Sequence, residues 1–308
     1  TRSTNRTVAT NYFGDAQFDV KTKKPIPIVP NGEYLGSPYW WGYGKEYYQT
    51  KKPKVDQGEY VLTLTHCGGW CLHPCASYEY IQSTSLFEES CRFVFEAPEK
   101  NTEVAMITPK RHVKEIVHLI RDPFSNVVSR FHQYRMHHAS NGDRTNRDHS
   151  DKGSMGSFQE WCKELDSEKY LDDSPISSPF ISIELKEVMK NIPCHTEFFK
   201  YVAWHNHVVE MSWNENYPTK LVYFEDYNNH GEDANDHDYK HSEKVVAQGL
   251  AEFLKTPINE EEAGLPPWLK VNMYKHYYTD AQQAEIQKFV KIMALTKTYE
   301  LLKRYFEG

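Results

Sequence analysis

A chain of 308 residues suits one large domain or two small ones, and is long enough for a sizeable buried core. Its formal net charge of −7 argues against a dedicated nucleic-acid binder and leaves room only for a local basic cleft. Mean hydropathy is −0.73, and no apolar run approaches the roughly twenty residues that cross a bilayer, so no membrane span is expected.

The chain begins at Thr1 with neither Met nor a signal-like apolar stretch, and so reads as trimmed of a targeting segment. Its cysteines are Cys67, Cys71, Cys75, Cys91, Cys162 and Cys194, an even count that permits three disulfides. Asn5-Arg6-Thr7 is a lone glycosylation sequon. Together these lean toward the Golgi lumen or another secretory compartment; reduced cysteines in a cytoplasmic enzyme are the alternative.

Residues 1–58 are rich in Pro, Lys, Tyr and Gly without a sustained period. They read as an irregular arm packed on the core, anchored by Tyr39-Trp40-Trp41, ahead of a principal domain at 59–308. Glu59 to Thr65 alternates β-formers and runs into His66-Cys67-Gly68-Gly69-Trp70-Cys71-Leu72-His73. A strand, a tight glycine turn and a helix bring backbone amides to face a phosphate. The turn is not a Walker A loop, because the Gly-Lys-Ser/Thr ending is absent. Cys71 and Cys75 with His66 or His73 lack the paired spacing of a zinc site. No metal is expected, and a disulfide from this cluster to Cys91 is the better reading.

Residues 76–101 read as helix and connector, and Val104 to Thr108 as a short buried strand ending in Pro109-Lys110-Arg111-His112. Ile116, Val117, Leu119 and Ile120 form a near-continuous apolar run, as in a parallel strand covered on both faces. Asp122-Pro123 starts a helix in which Phe124, Val127, Val128 and Phe131 share one face. Arg121 then lies at the carboxyl end of the strand, where open α/β sheets bind ligands, and Ser129 lies two turns into the helix. A guanidinium fork and a hydroxyl suit a phosphate near a helix N-terminus; a surface Arg and a locally bonded Ser are the plainer alternative.

Residues 137–156 read as a mobile polar loop and 158–165 as an amphipathic helix. Glu197 to Val209 is a longer helix with an aromatic stripe, and Cys162 and Cys194, close to these helices, could pair. Lys220 to Asp226 is a strong strand, 228–242 an acidic, His-rich solvated loop, and 245–254 a helix. Tyr274-Lys275-His276-Tyr277-Tyr278-Thr279 precedes a C-terminal amphipathic helix.

Ile120-Arg121-Asp122-Pro123, with Ser129 eight residues after the Arg and Phe131-His132 behind it, resembles the 3′-phosphate-binding segment of the sulfotransferase family. The family's donor is 3′-phosphoadenosine 5′-phosphosulfate (PAPS), and its product is PAP. The resemblance implies that Arg121 and Ser129 hold the 3′-phosphate. It also implies one α/β domain with a central parallel sheet flanked by helices, the P-loop-kinase-like sulfotransferase fold. The glycine turn is similar in position to the family's 5′-phosphosulfate loop, usually Pro-Lys-Ser-Gly-Thr-Thr-Trp. That places His66, Cys67, Gly68, Gly69, Trp70 and Cys71 around the donor. His66 stands where the family has its loop Lys; it donates the same hydrogen bond but is only partly cationic near neutrality. The loop's Thr pair and stacking Trp are absent, with Trp70 available for stacking.

Tyr223-Phe224-Glu225-Asp226 is similar to the family's Tyr-Glu-Asp strand end and puts Phe224 beside the adenine. Tyr274 to Thr279 resembles the family's Trp-Lys-x-x-Phe-Thr and adds Tyr278 and Thr279 to the donor site. The Tyr201-Val202-Ala203-Trp204-His205 run is similar to one near the family's acceptor pocket, so His205 is a candidate for substrate contact. Relatives carry a Lys-Thr-His at the end of a strand comparable to 104–108; here Thr108 fits and His112 is four residues on. His66, His73 and His112 are thus the candidates for the base that takes the acceptor's proton.

The resulting expectation is a sulfotransferase acting on a glycan or a small hydroxylated metabolite by in-line attack, without metal. One rival is a non-catalytic nucleotide- or glycan-binding protein on the same fold. A nucleotide-dependent phosphotransferase is the other, disfavoured because no Lys-Ser/Thr or magnesium-holding pattern follows the glycine turn.

Overall fold

The structure is a computed structural model. It describes residues 7–10, 60–64, 67, 84–91, 93–99, 102–107, 110, 113, 115–140, 153–169, 181–228, 245–246, 248–254 and 274–307. Strands are β1 (Thr7–Thr10), β2 (Tyr60–Leu64), β3 (Phe93–Glu99), β4 (Thr102–Ile107), β5 (Ile116–Ile120) and β6 (Thr219–Tyr223). Helices are α1 (Thr84–Cys91), α2 (Pro123–Ser140), α3 (Met155–Glu164), α4 (Ile183–Met189), α5 (His195–Asn214), α6 (Asp280–Met293) and α7 (Thr296–Leu302). Residues 245–246 and 248–253 are also helical.

Helices therefore predominate, and the described strands form three separate two-stranded ladders rather than one central sheet. β1 with β2 and β5 with β6 run parallel, whereas β3 and β4 run antiparallel. The connection between β3 and β4 is too short for the crossover that a parallel pair needs. Between β5 and β6 the chain passes through α2 to α5, long enough to return in the same direction. Their register runs from Ile116 opposite Thr219 to Ile120 opposite Tyr223.

Three readings are corrected here. Residues 93–99 are a strand, not a connector: Phe93-Val94-Phe95 is β-forming, and the ladder with β4 holds it. The N-terminal arm carries a strand, β1, paired to β2. α2 continues to Ser140, into the expected loop, because the residues after His132 are mostly good helix formers until Asn141-Gly142.

The main core is built where α2, α3, α5 and α6 meet. α2 supplies Phe124, Val127, Val128 and Phe131, α3 Phe158 and Trp161, α5 Phe198 and Val202, and α6 Ile286 and Phe289. Phe131 lies edge-on to Phe158, ring centroids 5.7 Å apart, and Phe124 likewise to Phe198 at 6.2 Å. Each fully buried aromatic contributes about 1.5–3 kcal/mol of transfer free energy.

Two disulfides tie this frame. Cys162–Cys194 links α3 to the start of α5, where Asp166 also accepts the Cys194 amide at 2.8 Å. Cys67–Cys91 links the glycine turn to the end of α1, so it is Cys67, rather than Cys71 or Cys75, that reaches Cys91. α1 rests on α5 through a smaller cluster of Cys67, Phe87, Val208 and Met211. The two bonds fit an oxidising compartment. No described helix is long and apolar enough to cross a membrane.

Candidate functional site

The site is assembled at the carboxyl ends of β5 and β6. Because the strands are parallel and in register, Arg121-Asp122 from one and Phe224-Glu225-Asp226 from the other emerge side by side. Asp122 caps α2: its carboxylate accepts the Phe124 amide at 3.3 Å, the Ser125 amide at 3.0 Å and the Ser125 hydroxyl at 2.5 Å. Only 2% exposed, Asp122 has its carboxyl pushed up by burial, with the Ser125 bonds opposing. The first amides of α2 are thus already taken by Asp122, and an anion here depends on side chains.

Glu225 is equally committed. Its Oε1 accepts the Asp122 amide at 2.8 Å and its Oε2 the Tyr305 hydroxyl at 2.6 Å. Asp226 pairs with Arg304 at 2.8 Å. Arg121, lying among these carboxylates, has its guanidinium 4.9 Å above the centre of the Phe224 ring. Among the described residues it makes no side-chain hydrogen bond or close ion pair, and its Nε is buried without a partner. Burial lowers its proton affinity, while Glu225 and then Asp122 raise it. The backbone at Arg121 is fixed: its carbonyl accepts the Tyr201 hydroxyl at 2.6 Å from α5.

Ser129 lies half-buried on α2, four residues after Ser125 and three before His132, so the three share one helix face. The segment 274–277 lies over that face. The Tyr274 amide donates to Ser125 Oγ at 3.2 Å, and the Tyr274 ring lies 5.2 Å from His132. Lys275, 5.6 Å from the Phe124 ring, puts a cation beside the first turn of α2.

Of the residues expected at a donor site, the structure brings together Arg121 and Phe224, with Ser129 on the adjoining helix. Tyr278 lies instead within the core, between Phe124 and Phe158 at 5.2 Å each, and donates to the Phe124 carbonyl. Thr279 caps α6 in a reciprocal box with Gln282. Cys67 is buried at a positive φ of 52°, its sulfur bonded to Cys91. His66, Gly68, Gly69, Trp70, Cys71, His73 and His112 lie outside the described residues. His205 does not line the surface: it is 4% exposed and hydrogen-bonded to His118 at 2.7 Å.

Glu225, Tyr201 and Tyr274 are the members that sequence reading passed over. All three lay inside recognised motifs, Tyr201 at the head of the Tyr201-to-His205 run, where only His205 was singled out. Comparison of the chain with protein-family models, with curated proteins and with solved structures finds no match.

Proposed function

We propose that the chain is a PAPS-dependent sulfotransferase of the P-loop-kinase-like α/β architecture, and that Arg121, Ser129 and Phe224 form the 3′-phosphate and adenine end of its donor site. One observation carries the reading. The half-buried Arg121 guanidinium is unpaired among the described residues, while the carboxylates beside it are spent on Ser125, the Asp122 amide and Tyr305. The charge is balanced by nearby Glu225 and Asp122, but its buried Nε donor goes unmet, and a phosphate accepting the guanidinium fork removes that cost. Phe224, already under the guanidinium, offers an apolar face for a base.

In this reading the acceptor hydroxyl of a glycan or small metabolite attacks sulfur in line, and one of His66, His73 and His112 takes its proton. Amides of the 67–71 loop and the His66 side chain steady the leaving 5′-phosphate. Incubation with PAPS and a panel of hydroxylated acceptors, followed by assay of PAP, tests it. Acceptor-dependent PAP release is expected. Donor binding with no turnover on any acceptor would instead favour the non-catalytic binding protein.

A further inference from the structure

His118 and His205 face one another between β5 and α5, Nε2 to Nδ1 at 2.7 Å, at 2% and 4% exposure. One ring must donate and the other accept, so the contact holds a single shared proton. A further proton either lands on the accepting nitrogen, leaving two donors face to face, or charges the outer nitrogen of a ring that is almost wholly buried. The rings are 5.0 Å apart and lie against Trp204, 5.8 Å from His118 and 5.0 Å from His205. From β6 the register partner of His118 is the uncharged Leu221. From α5 the other titratable neighbour is Tyr201, whose ring lies 4.4 Å from His205. His207 turns the other way, onto Phe87 and Thr84 of α1 with Glu210. Burial is the main force on both rings and drives both toward the neutral form.

The pair is connected to the candidate site at two points. His118 is three residues before Arg121 on the same strand-to-helix passage. His205 is one helical turn from Tyr201, which packs on it and donates to the Arg121 carbonyl at 2.6 Å. We propose that the His118–His205 hydrogen bond is an acid-sensitive clasp that ties α5 to β5 and, through Tyr201, holds Arg121 in position for its anion. The second half rests on the reading of Arg121 as a phosphate-binding residue; the first does not.

The test compares wild type with His118→Gln/His205→Gln, whose amides can bond one another but do not titrate. Hydrogen exchange of α5, corrected for intrinsic rates, is measured at about pH 7.5 and about pH 5. Wild type is expected to lose roughly tenfold or more of its protection in acid while the double variant stays level. Equal behaviour of the two proteins overturns the clasp. Calorimetric titration with PAP at the same two pH values tests the link to Arg121, since the ligand's own titration is common to both. A steeper acid loss of affinity in wild type supports the link, and parallel losses overturn it. Failure to bind at either pH overturns the phosphate reading and the link with it, while exchange still decides the clasp. Should the double variant not fold, side-chain nitrogen NMR of wild type is decisive. Acid loss of the cross-ring hydrogen bond, in step with the loss of α5 protection, supports the clasp, and two rings that titrate independently near the ordinary 6.5 while α5 stays protected overturn it.

Discussion

Single residues divide here by whether their partners are already supplied. Asp122, Glu225 and Asp226 have theirs, from Ser125, Tyr305 and Arg304 respectively. Among the described residues Arg121 has no such hydrogen-bonded partner, which is why the proposed function makes it the group that meets the ligand. His118 carries a pH dependence whose sign follows from burial. Its folded value is lowered from 6.5 to about 4, so between those limits the unfolded chain binds more protons. Stability is therefore full above the unfolded value and falls as pH drops from 6.5 toward 4. At about 1.4 kcal/mol per unit, this ring alone accounts for about 3 kcal/mol across that range. Denaturant midpoints from neutral to acid pH check it, and a flat profile in wild type contradicts it. Phe131→Ala, at a fully buried ring that meets Phe158 and Trp161, should cost about 3–5 kcal/mol in the same denaturation experiment.

Elements were legible where a strong period met a clear punctuation mark. β5 and α2 follow from an apolar run closed by Asp122-Pro123, and α6 from Thr279 with Gln282 three residues on. Thr279→Ala removes one side of that box and should lower stability by about 1 kcal/mol, read as a shift of the thermal midpoint. β3 was not legible, because Phe93-Val94-Phe95 followed by Glu96-Ala97-Pro98 shows no alternation and contains a residue that strands exclude. Its pairing with β4 is a tertiary fact that no local pattern carries. The same holds for Tyr278, whose place beside Thr279 in a recognised motif says nothing of the aromatic ring of Phe124, Phe158 and Phe198 that encloses it. The Cys162–Cys194 pairing was readable as a possibility from two neighbouring helices, but the choice of Cys67 for Cys91 was not, since Cys67, Cys71 and Cys75 compete within nine residues of sequence.

Among the described residues, two disulfides and the helical core tie the helices together beside three short ladders. Cys162–Cys194 closes a separation of 32 residues, for which loop entropy gives about 4 kcal/mol. Replacing both cysteines by Ala should lower the unfolding free energy by an amount of that order, with α3 and the start of α5 the first segments to exchange hydrogen. Under the proposed function, a chain with a formal net charge of −7 would attract an anionic donor through local cations, not its overall field. Arg121 at the strand edge and Lys275 beside α2 are those cations. The account therefore stands or falls on one experiment, calorimetric titration of wild type and Arg121→Ala with PAP. It predicts binding by wild type and at least a roughly tenfold loss in the variant, the worth of a charge-assisted phosphate contact. A well-folded wild type that ignores PAP, or a variant that binds it equally well, would contradict it.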